Sequence, residues 1–298
     1  MKVLVTAKNG QLGWELSRTL PNNIEAIFLD SKELDITCSE SVFEKIKSFN
    51  PELVINAAAY TAVDKAETDS DAAFLVNEQG AKNLALACKE HGAKLIHIST
   101  DFVFDATKNT PYQPEDETNP LGVYGASKLA GEQAVVKILG EDVSIIRTAW
   151  VYSMHGNNFV KTMLRLMAEK DQLGVVADQV GTPTSAYNLA KAIWQLAEKN
   201  SSSDIAFGKT YHWTDLGTAS WYDFAVAIQE LGVGAGILEK QIPINPIKAS
   251  QYPTPAKRPA YSVLDTSELR EDLNISGTHW REALNTMVED LVKEASDD

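Results

Sequence analysis

Five short apolar runs, rich in β-branched residues, recur along the chain: "KVLVT" at 2–6, "EAIFLD" at 25–30, "ELVINAAA" at 52–59, "KLIHIST" at 94–100 and "VSIIRTAW" at 143–150. Each reads as a strand buried on both faces. Between them lie stretches of helical periodicity, the clearest from Ala66 to His91, where Ala73, Phe74, Val76, Ala81, Leu84, Ala85 and Ala87 are the apolar positions. Strands that alternate with helices predict βαβ units. Right-handed crossovers then lead to an α/β fold, a Rossmann-like doubly wound parallel sheet with helices on both faces.

After Trp150 the rhythm weakens, and Pro, Gly and Ser punctuate "DQVGTPTSA", "KNSSSD" and "YPTPAKRP". Residues 1–150 are therefore expected to form a dinucleotide-binding domain. Residues 151–298 should form mainly a smaller C-terminal α/β substrate-binding lobe, with later segments, roughly 174–200, returning to the first domain. A chain of 298 residues is long enough for both.

A formal charge of −14 argues against unspecific nucleic-acid binding, which needs a cationic face. No run approaches the ~20 apolar residues of a membrane span, and "MKVLVTAKNG" is too soon broken by Lys8 and Asn9 for a secretory signal. A cytoplasmic enzyme with no membrane and no nucleic-acid partner is expected. Cys38 and Cys88 lack Cys-x-x-Cys spacing, and His91, His97, His155, His212 and His279 lack metal-ligand spacing, so no metal site is expected.

The first strand runs into "TAKNGQLGWEL", where Gly10 and Gly13 would let a turn approach a pyrophosphate ahead of a helix N-terminus that favours anions. Ala7 stands where such turns usually place their first glycine, and its methyl is expected to be tolerated only without a positive φ. An ordinary βα turn remains open on this feature alone. Asp30 ends the second strand, where an acid can accept hydrogen bonds from the adenosine ribose. With no Arg beside it, a 2'-phosphate would have little to hold it, so NADH use is expected and strict NADPH use is not.

In "VYGASKLAGEQ", Tyr124 and Lys128 are four apart and would share one helix face. A nearby ammonium would draw the phenol pKa down from ~10 and make Tyr124 a usable proton carrier. A surface i, i+4 pair has the same spacing. Position favours the chemical reading: this helix follows the fourth strand, which ends at Ser99 and Thr100, so a hydroxyl could face the crevice beside the dinucleotide. Gly-x-Ser-x-Gly is absent, and nucleophilic hydrolysis lacks its usual elbow.

Gly10-Gln11-Leu12-Gly13, "NAAAYTAVDKAE" at 56–67, "STDFVF" at 99–104, Tyr124-x-x-x-Lys128 and "RTAWVY" at 147–152 together resemble the extended short-chain dehydrogenases/reductases, and within them the branch acting on dTDP-4-keto sugars. The likeness continues through "GNNFVKTMLRL", "DQVGTPTS", "WYDFA" and "YPTPAKRP". The resemblance implies reduction of the C4 ketone of dTDP-4-dehydro-6-deoxy-L-mannose to dTDP-L-rhamnose with NADPH or NADH. Tyr124 would donate the proton, Lys128 would hold the nicotinamide ribose, and Thr100 would hydrogen-bond near the carbonyl oxygen. It places Asp101 and Trp150 on the sugar, and Gly10, Gln11, Leu12, Asp30, Asp35, Ile36, Ala58, Ala59, Tyr60 and Thr61 on the cofactor. Arg258 in "YPTPAKRP" would grip the diphosphate, its fork suiting two phosphate oxygens.

Related sugar-nucleotide dehydratases carry Thr-Asp-Glu where this chain has Thr100-Asp101-Phe102. A phenyl ring exchanges no proton, so dehydration is disfavoured. A reductase or epimerase on another nucleotide sugar stays open, as does a dinucleotide-binding regulatory subunit resembling that of methionine adenosyltransferase. Some relatives resemble Mg-bridged homodimers built on glutamates. Glu15 matches one such position, but Tyr187 stands at the second, and a neutral phenol is a poor Mg ligand. A monomer or weak homodimer that does not require Mg is expected.

Overall fold

A computed structural model of the chain describes residues 1–201 and 207–297. The five runs form β1 (Lys2–Thr6), β2 (Glu25–Leu29), β3 (Leu53–Asn56), β4 (Lys94–Thr100) and β5 (Val143–Thr148). They pair in parallel in the order β5-β4-β3-β1-β2. The chain leaves β1 for β2 on one side and crosses back to β3 on the other. That reversal opens a crevice outside the carboxyl ends of β1 and β3, the place where doubly wound sheets take ligands.

Alternate strand residues feed two cores, as the pleat requires. Val3, Val5, Ile55, Ile96 and Ile146 pack on the face that carries α1 (Gln11–Arg18). Leu4, Val54, Leu95 and Ile145 pack on the other, against α2 (Ser39–Phe49) and the helices between β3 and β5. The single helix expected over 66–91 is broken into α3 (Val63–Ala66), α4 (Ser70–Phe74), a π-helical turn over Leu75–Gly80, and α5 (Ala81–His91). The Thr68 hydroxyl donates to the Lys65 carbonyl at 3.1 Å, a local bond that competes with helix continuation. Helix α6 (Val123–Leu139) follows β4, and a buried ion pair fixes it to β5: Arg147 Nη2 donates to Glu132 Oε2 at 2.7 Å and Nε to Oε1 at 3.0 Å.

Beyond β5 the chain forms β6 (Val151–Tyr152), α7 (Phe159–Glu169), β7 (Leu173–Val176), β8 (Val180–Gly181), β9 (Thr184–Ser185), α8 (Ala186–Ser201) and β10 (Thr210–His212). There follow β11 (Ala219–Ser220), α9 (Trp221–Gly234), β12 (Ile244–Ile247), α10 (Ser267–Leu273) and α11 (Trp280–Asp297). Val160, Met163, Leu164, Phe224, Ile228, Leu284 and Val288, from α7, α9 and α11, close a third core. Two elements go back to the sheet. Trp194 of α8 donates its indole N–H to the Leu16 carbonyl of α1 at 3.0 Å, and β10 pairs in parallel with β5 as the sixth strand. Of the expected return over 174–200, α8 packs against α1, whereas β7 pairs with β12 away from the central sheet; β10, beyond that range, is the strand that joins it.

Candidate active site

The turn after β1 is tight. Ala7 has φ 59°, so the expectation of a negative φ at this position does not hold. The left-handed conformation costs an alanine roughly 1 kcal/mol, and two backbone bonds hold it: Gly10 N to Ala7 O at 2.9 Å and Lys8 N to Leu29 O at 3.1 Å. A Cβ on Gly13 would lie 2.1 Å from the Ala7 carbonyl oxygen, so only glycine lets α1 start this close to the strand. Helix α1 opens at Gly10 with no side-chain cap, leaving its first N–H groups turned to the crevice. Leu12 packs against the core beneath, and Gln11 reaches the other lobe, accepting from Asn158 Nδ2 at 3.0 Å.

At the end of β2, Asp30 Oδ1 accepts from the backbone N–H groups of Lys32 and Glu33 at 2.9 and 3.0 Å, while Oδ2 accepts from Asn9 Nδ2 at 3.0 Å. These bonds, led by the Glu33 amide, hold its carboxyl below the usual carboxylate range. A cation does stand beside it. Lys8 Nζ lies 3.8 Å from Asp30 Oδ2 and 2.6 Å from Glu33 Oε2, which corrects the expectation that a 2'-phosphate would have little there to hold it. This lysine, in "TAKNG", reaches the end of β2 from the turn after β1. Asp35 is exposed and accepts from Thr37, whereas the Ile36 side chain is buried.

After β3 the chain carries Ala58, Ala59, Tyr60 and Thr61 across the mouth of the crevice. Ala58 N donates to both Thr6 Oγ1 and Asn56 Oδ1 at 3.1 Å. Tyr60 is held by Asn77, from the π-helical turn, and its phenol reaches Asp69 Oδ2 at 3.4 Å. Asn77 was not singled out from sequence, because a polar residue in a helical stretch gives no sign of facing inward.

Thr100 ends β4 and Asp101 opens the 3-10 turn after it, both buried, with Thr100 Oγ1 donating to Asp101 Oδ1 at 3.0 Å. A Cβ on Gly125 would lie 2.1 Å from the Phe102 carbonyl oxygen, so α6 sits directly on the end of β4. That approach brings Tyr124 to Thr100. Burial pushes the Tyr124 phenol up to about 12; a hydrogen bond with Thr100 opposes the rise and Asp101 adds to it. The expected lowering by Lys128 is absent. Lys128, 2% exposed, donates from Nζ to the Ile98 carbonyl at 2.7 Å, and burial brings its own pKa down to about 8. A phenol that keeps its proton is suited to giving one up to a developing alkoxide. Burial also lifts the Asp101 carboxyl to about 6, with the Ser262 and Thr100 hydroxyls acting against the rise. Phe102 meets the Tyr124 ring edge-on, with centroids 5.5 Å apart.

Trp150 stands at φ 49° and stacks on Trp221 of α9, with ring centroids 3.5 Å apart, joining the end of the sheet to the second lobe. Next to Trp221 opens a largely apolar cleft of about 560 Å³, lined among others by Phe159, Met163, Leu166, Tyr252 and Arg258. Arg258 is not a free cation: its Nη2 lies 2.8 Å from Asp64 Oδ2. Trp221 lies in "WYDFA" and Asp64 in "NAAAYTAVDKAE", but nothing in either stretch marked a role for these two side chains.

Residues 1–293 match the family model described as the RmlD substrate binding domain. The chain is 43% identical to the dTDP-4-dehydrorhamnose reductase of Aggregatibacter actinomycetemcomitans, over 96% of this chain and 98% of that one. It is 39% identical to the one from Escherichia coli K12, over 98% of each. Among solved structures, a dTDP-4-dehydrorhamnose reductase from Clostridium acetobutylicum superposes with TM-score 0.90 at 42% identity, covering 98% of this chain and 99% of that one. Another from Bacillus anthracis, in complex with NADP, gives 0.90 at 36% identity, covering 97% and 99%. A UDP-glucose 4-epimerase from Thermus thermophilus with NAD, at 19% identity and TM-score 0.81 over 99% and 100% of the two chains, shares the fold.

Proposed function

The chain belongs to the RmlD substrate binding domain family, with the dTDP-4-dehydrorhamnose reductases, and from that premise we propose that it reduces the C4 ketone of dTDP-4-dehydro-6-deoxy-L-mannose to dTDP-L-rhamnose, using NADPH or NADH. The observation that carries this reading is the placing of Thr100 at the end of β4, and of Tyr124 and Lys128 in the first turns of α6, at the same carboxyl edge of the parallel sheet as the glycine turn after β1.

The residues present fit a dinucleotide. The uncapped start of α1, which Gly13 allows to lie directly against the turn after β1, suits a pyrophosphate. Gly10, Gln11 and Leu12 would line it, Asp30, Asp35 and Ile36 would flank the adenosine, and Ala58, Ala59, Tyr60 and Thr61 would border the middle of the molecule. Lys8 is positioned to meet a 2'-phosphate, and Asp30 to meet a free 2'-hydroxyl. When bound, the reduced nicotinamide supplies a hydride to the C4 carbon.

Tyr124 gives its phenolic proton to the carbonyl oxygen, which completes the secondary alcohol. Thr100 donates a hydrogen bond near the same oxygen, and Lys128 holds the nicotinamide ribose and carries positive charge towards the phenolate left behind. Phe102 adds no second acid, so the site is equipped for reduction and not for loss of water. Asp101 and Trp150 contact the sugar. The cleft beside Trp221 takes the nucleotide end, and Arg258 exchanges Asp64 for the diphosphate. Residues 1–150 with α8 and β10 act as the dinucleotide domain, and the remainder of 151–298 as the sugar-nucleotide lobe.

Arg18 supports the expectation about metal. It lies 2.9 Å from Glu15 Oε2 and 3.2 Å from Asp290 Oδ2, and its guanidinium is 4.7 Å from the centre of the Tyr187 ring. A resident cation already serves these acids, so activity does not require Mg, and the protein is a monomer or weak homodimer. Among the described residues no helix is long and apolar enough to cross a membrane. The cytoplasm, where nucleotide cofactors are held, is the compartment of this reading. The test is consumption of NADPH and of NADH with the ketosugar generated in situ; no turnover with either would overturn it.

A further inference from the structure

The π-helical turn brings one buried amide into contact with two parts of the site at once. Asn77 is 1% exposed. Its Oδ1 accepts from Tyr60 N at 2.8 Å, and its Nδ2 donates to Tyr60 O at 3.2 Å and to Ser127 Oγ at 2.9 Å. Ser127 Oγ in turn donates to the Tyr124 carbonyl at 2.8 Å. A single amide therefore takes both backbone groups of Tyr60, as a neighbouring strand would, and spends its remaining donor on the helix that carries Tyr124 and Lys128. No other side chain of this size offers one acceptor and two donors in a plane.

The backbone supports the same junction. A Cβ on Gly131 would lie 2.2 Å from the Asn77 carbonyl oxygen, so α6 rests on the π-helical turn itself. A Cβ on Gly80, at the end of that turn, would lie 2.6 Å from Ile36 Cδ1. One turn further along, Asn83 Nδ2 donates to the Ile36 and Thr37 carbonyls at 2.9 and 3.1 Å. The extra residue of a π turn is a common device for aiming a side chain at a functional site.

We propose that Asn77 is a positioning residue with two separable arms: the Tyr60 arm sets the loop that borders the cofactor, and the Ser127 arm sets the first turn of the catalytic helix. The inference rests on the reductase reading. Its test reads NADPH binding by fluorescence with no sugar present, as well as turnover. An inactive wild type would overturn the reductase reading while the binding measurement still decides this one.

Asn77→Ala removes both arms and is expected to raise the NADPH Kd by about tenfold and to lower kcat by about tenfold. Ser127→Ala cuts one arm and is expected to lower kcat about fivefold with the NADPH Kd within about twofold of wild type. A generally loosened protein would not separate the two readouts. Should Asn77→Ala fail to fold, Asn77→Asp, which keeps the acceptor for Tyr60 N but loses the donors to Tyr60 O and Ser127, is expected to raise the NADPH Kd by about threefold while Ser127→Ala leaves it within about twofold, and that difference is read instead. Equal effects of the two substitutions on Kd, or wild-type values of both constants in each, would overturn the proposal.

Discussion

Arg258 Nη2 and Asp64 Oδ2 meet at 2.8 Å, and the same carboxylate accepts from Ala256 N at 3.2 Å, so the loop over the apolar cleft is fastened to the segment that follows the cofactor loop. The two side chains are 32% and 38% exposed, and a pair of that kind contributes at most about 1 kcal/mol. A diphosphate can therefore compete for the guanidinium. Arg258→Ala should raise the KM for the sugar nucleotide and leave NADPH affinity unchanged. Asp64→Asn should lower that KM, by no more than about fivefold. An unchanged KM in Arg258→Ala would remove this residue from the diphosphate.

Tyr124→Phe is expected to cut turnover by about two to four powers of ten with little change in cofactor affinity, since one hydroxyl and one transferable proton are lost. Because burial holds the phenol near 12, its ionisation should not shape the rate at neutral pH. Single-turnover rates at saturating NADPH check both points. Near-normal turnover in the variant would exclude Tyr124 as the donor.

Lys8 and Asp30 should divide the two cofactors between them. Lys8→Ala is expected to weaken NADPH more than NADH. Asp30→Ala should cost NADH about 1 kcal/mol, the scale of one lost ribose hydrogen bond. Dissociation constants for both cofactors in both variants are the measurement. No measurable rate with NADH in the wild type would contradict the role given to Asp30.

Asp101 makes stability depend on acidity in a definite direction. Its carboxyl rises from an ordinary 3.8 to about 6 in the folded protein, so the native state binds the extra proton. Its contribution is present in full below the unfolded value and is lost as pH rises through the folded one. Asp101→Asn carries no such group. The stability of the wild type relative to that variant should therefore fall by ~3 kcal/mol between pH 3.5 and pH 7. Denaturant titrations across that range would refute the assignment if the difference stayed constant.

Arg18 in place of a metal leads to two expectations. EDTA and millimolar Mg should leave both turnover and sedimentation of the wild type unchanged. Arg18→Met should destabilise the fold by ~2 kcal/mol, because the Glu15 carboxylate, only 1% exposed, loses its cation. A dimer and a rate that both depend on added Mg would sink this account.

The central strands and the glycine turn were legible because burial on both faces writes continuous apolar runs, and because Gly13 answers a steric demand within six residues of its cause. Tyr124 and Lys128 were legible through helical spacing. What escaped was carried by contacts distant in sequence. Nothing in the composition of 70–91 marks where a helix widens, so Asn77 looked like any polar helix residue. Trp150 adopts its left-handed backbone against a ring from α9, and Arg258 finds Asp64 from the far end of the chain. The lowered Tyr124 pKa failed as an expectation for a related reason: spacing placed Lys128 on the correct face, but the Ile98 carbonyl claims its ammonium.

The bond between Arg18 and Asp290 joins residues 272 positions apart. Helix α1 is thus held by α11 and, through Leu16, by the Trp194 indole. Both contacts fall in the last turn of α1, at the end opposite Gly10. A shift of α11 would therefore tilt α1 as a lever and move its first turn with no contact made there.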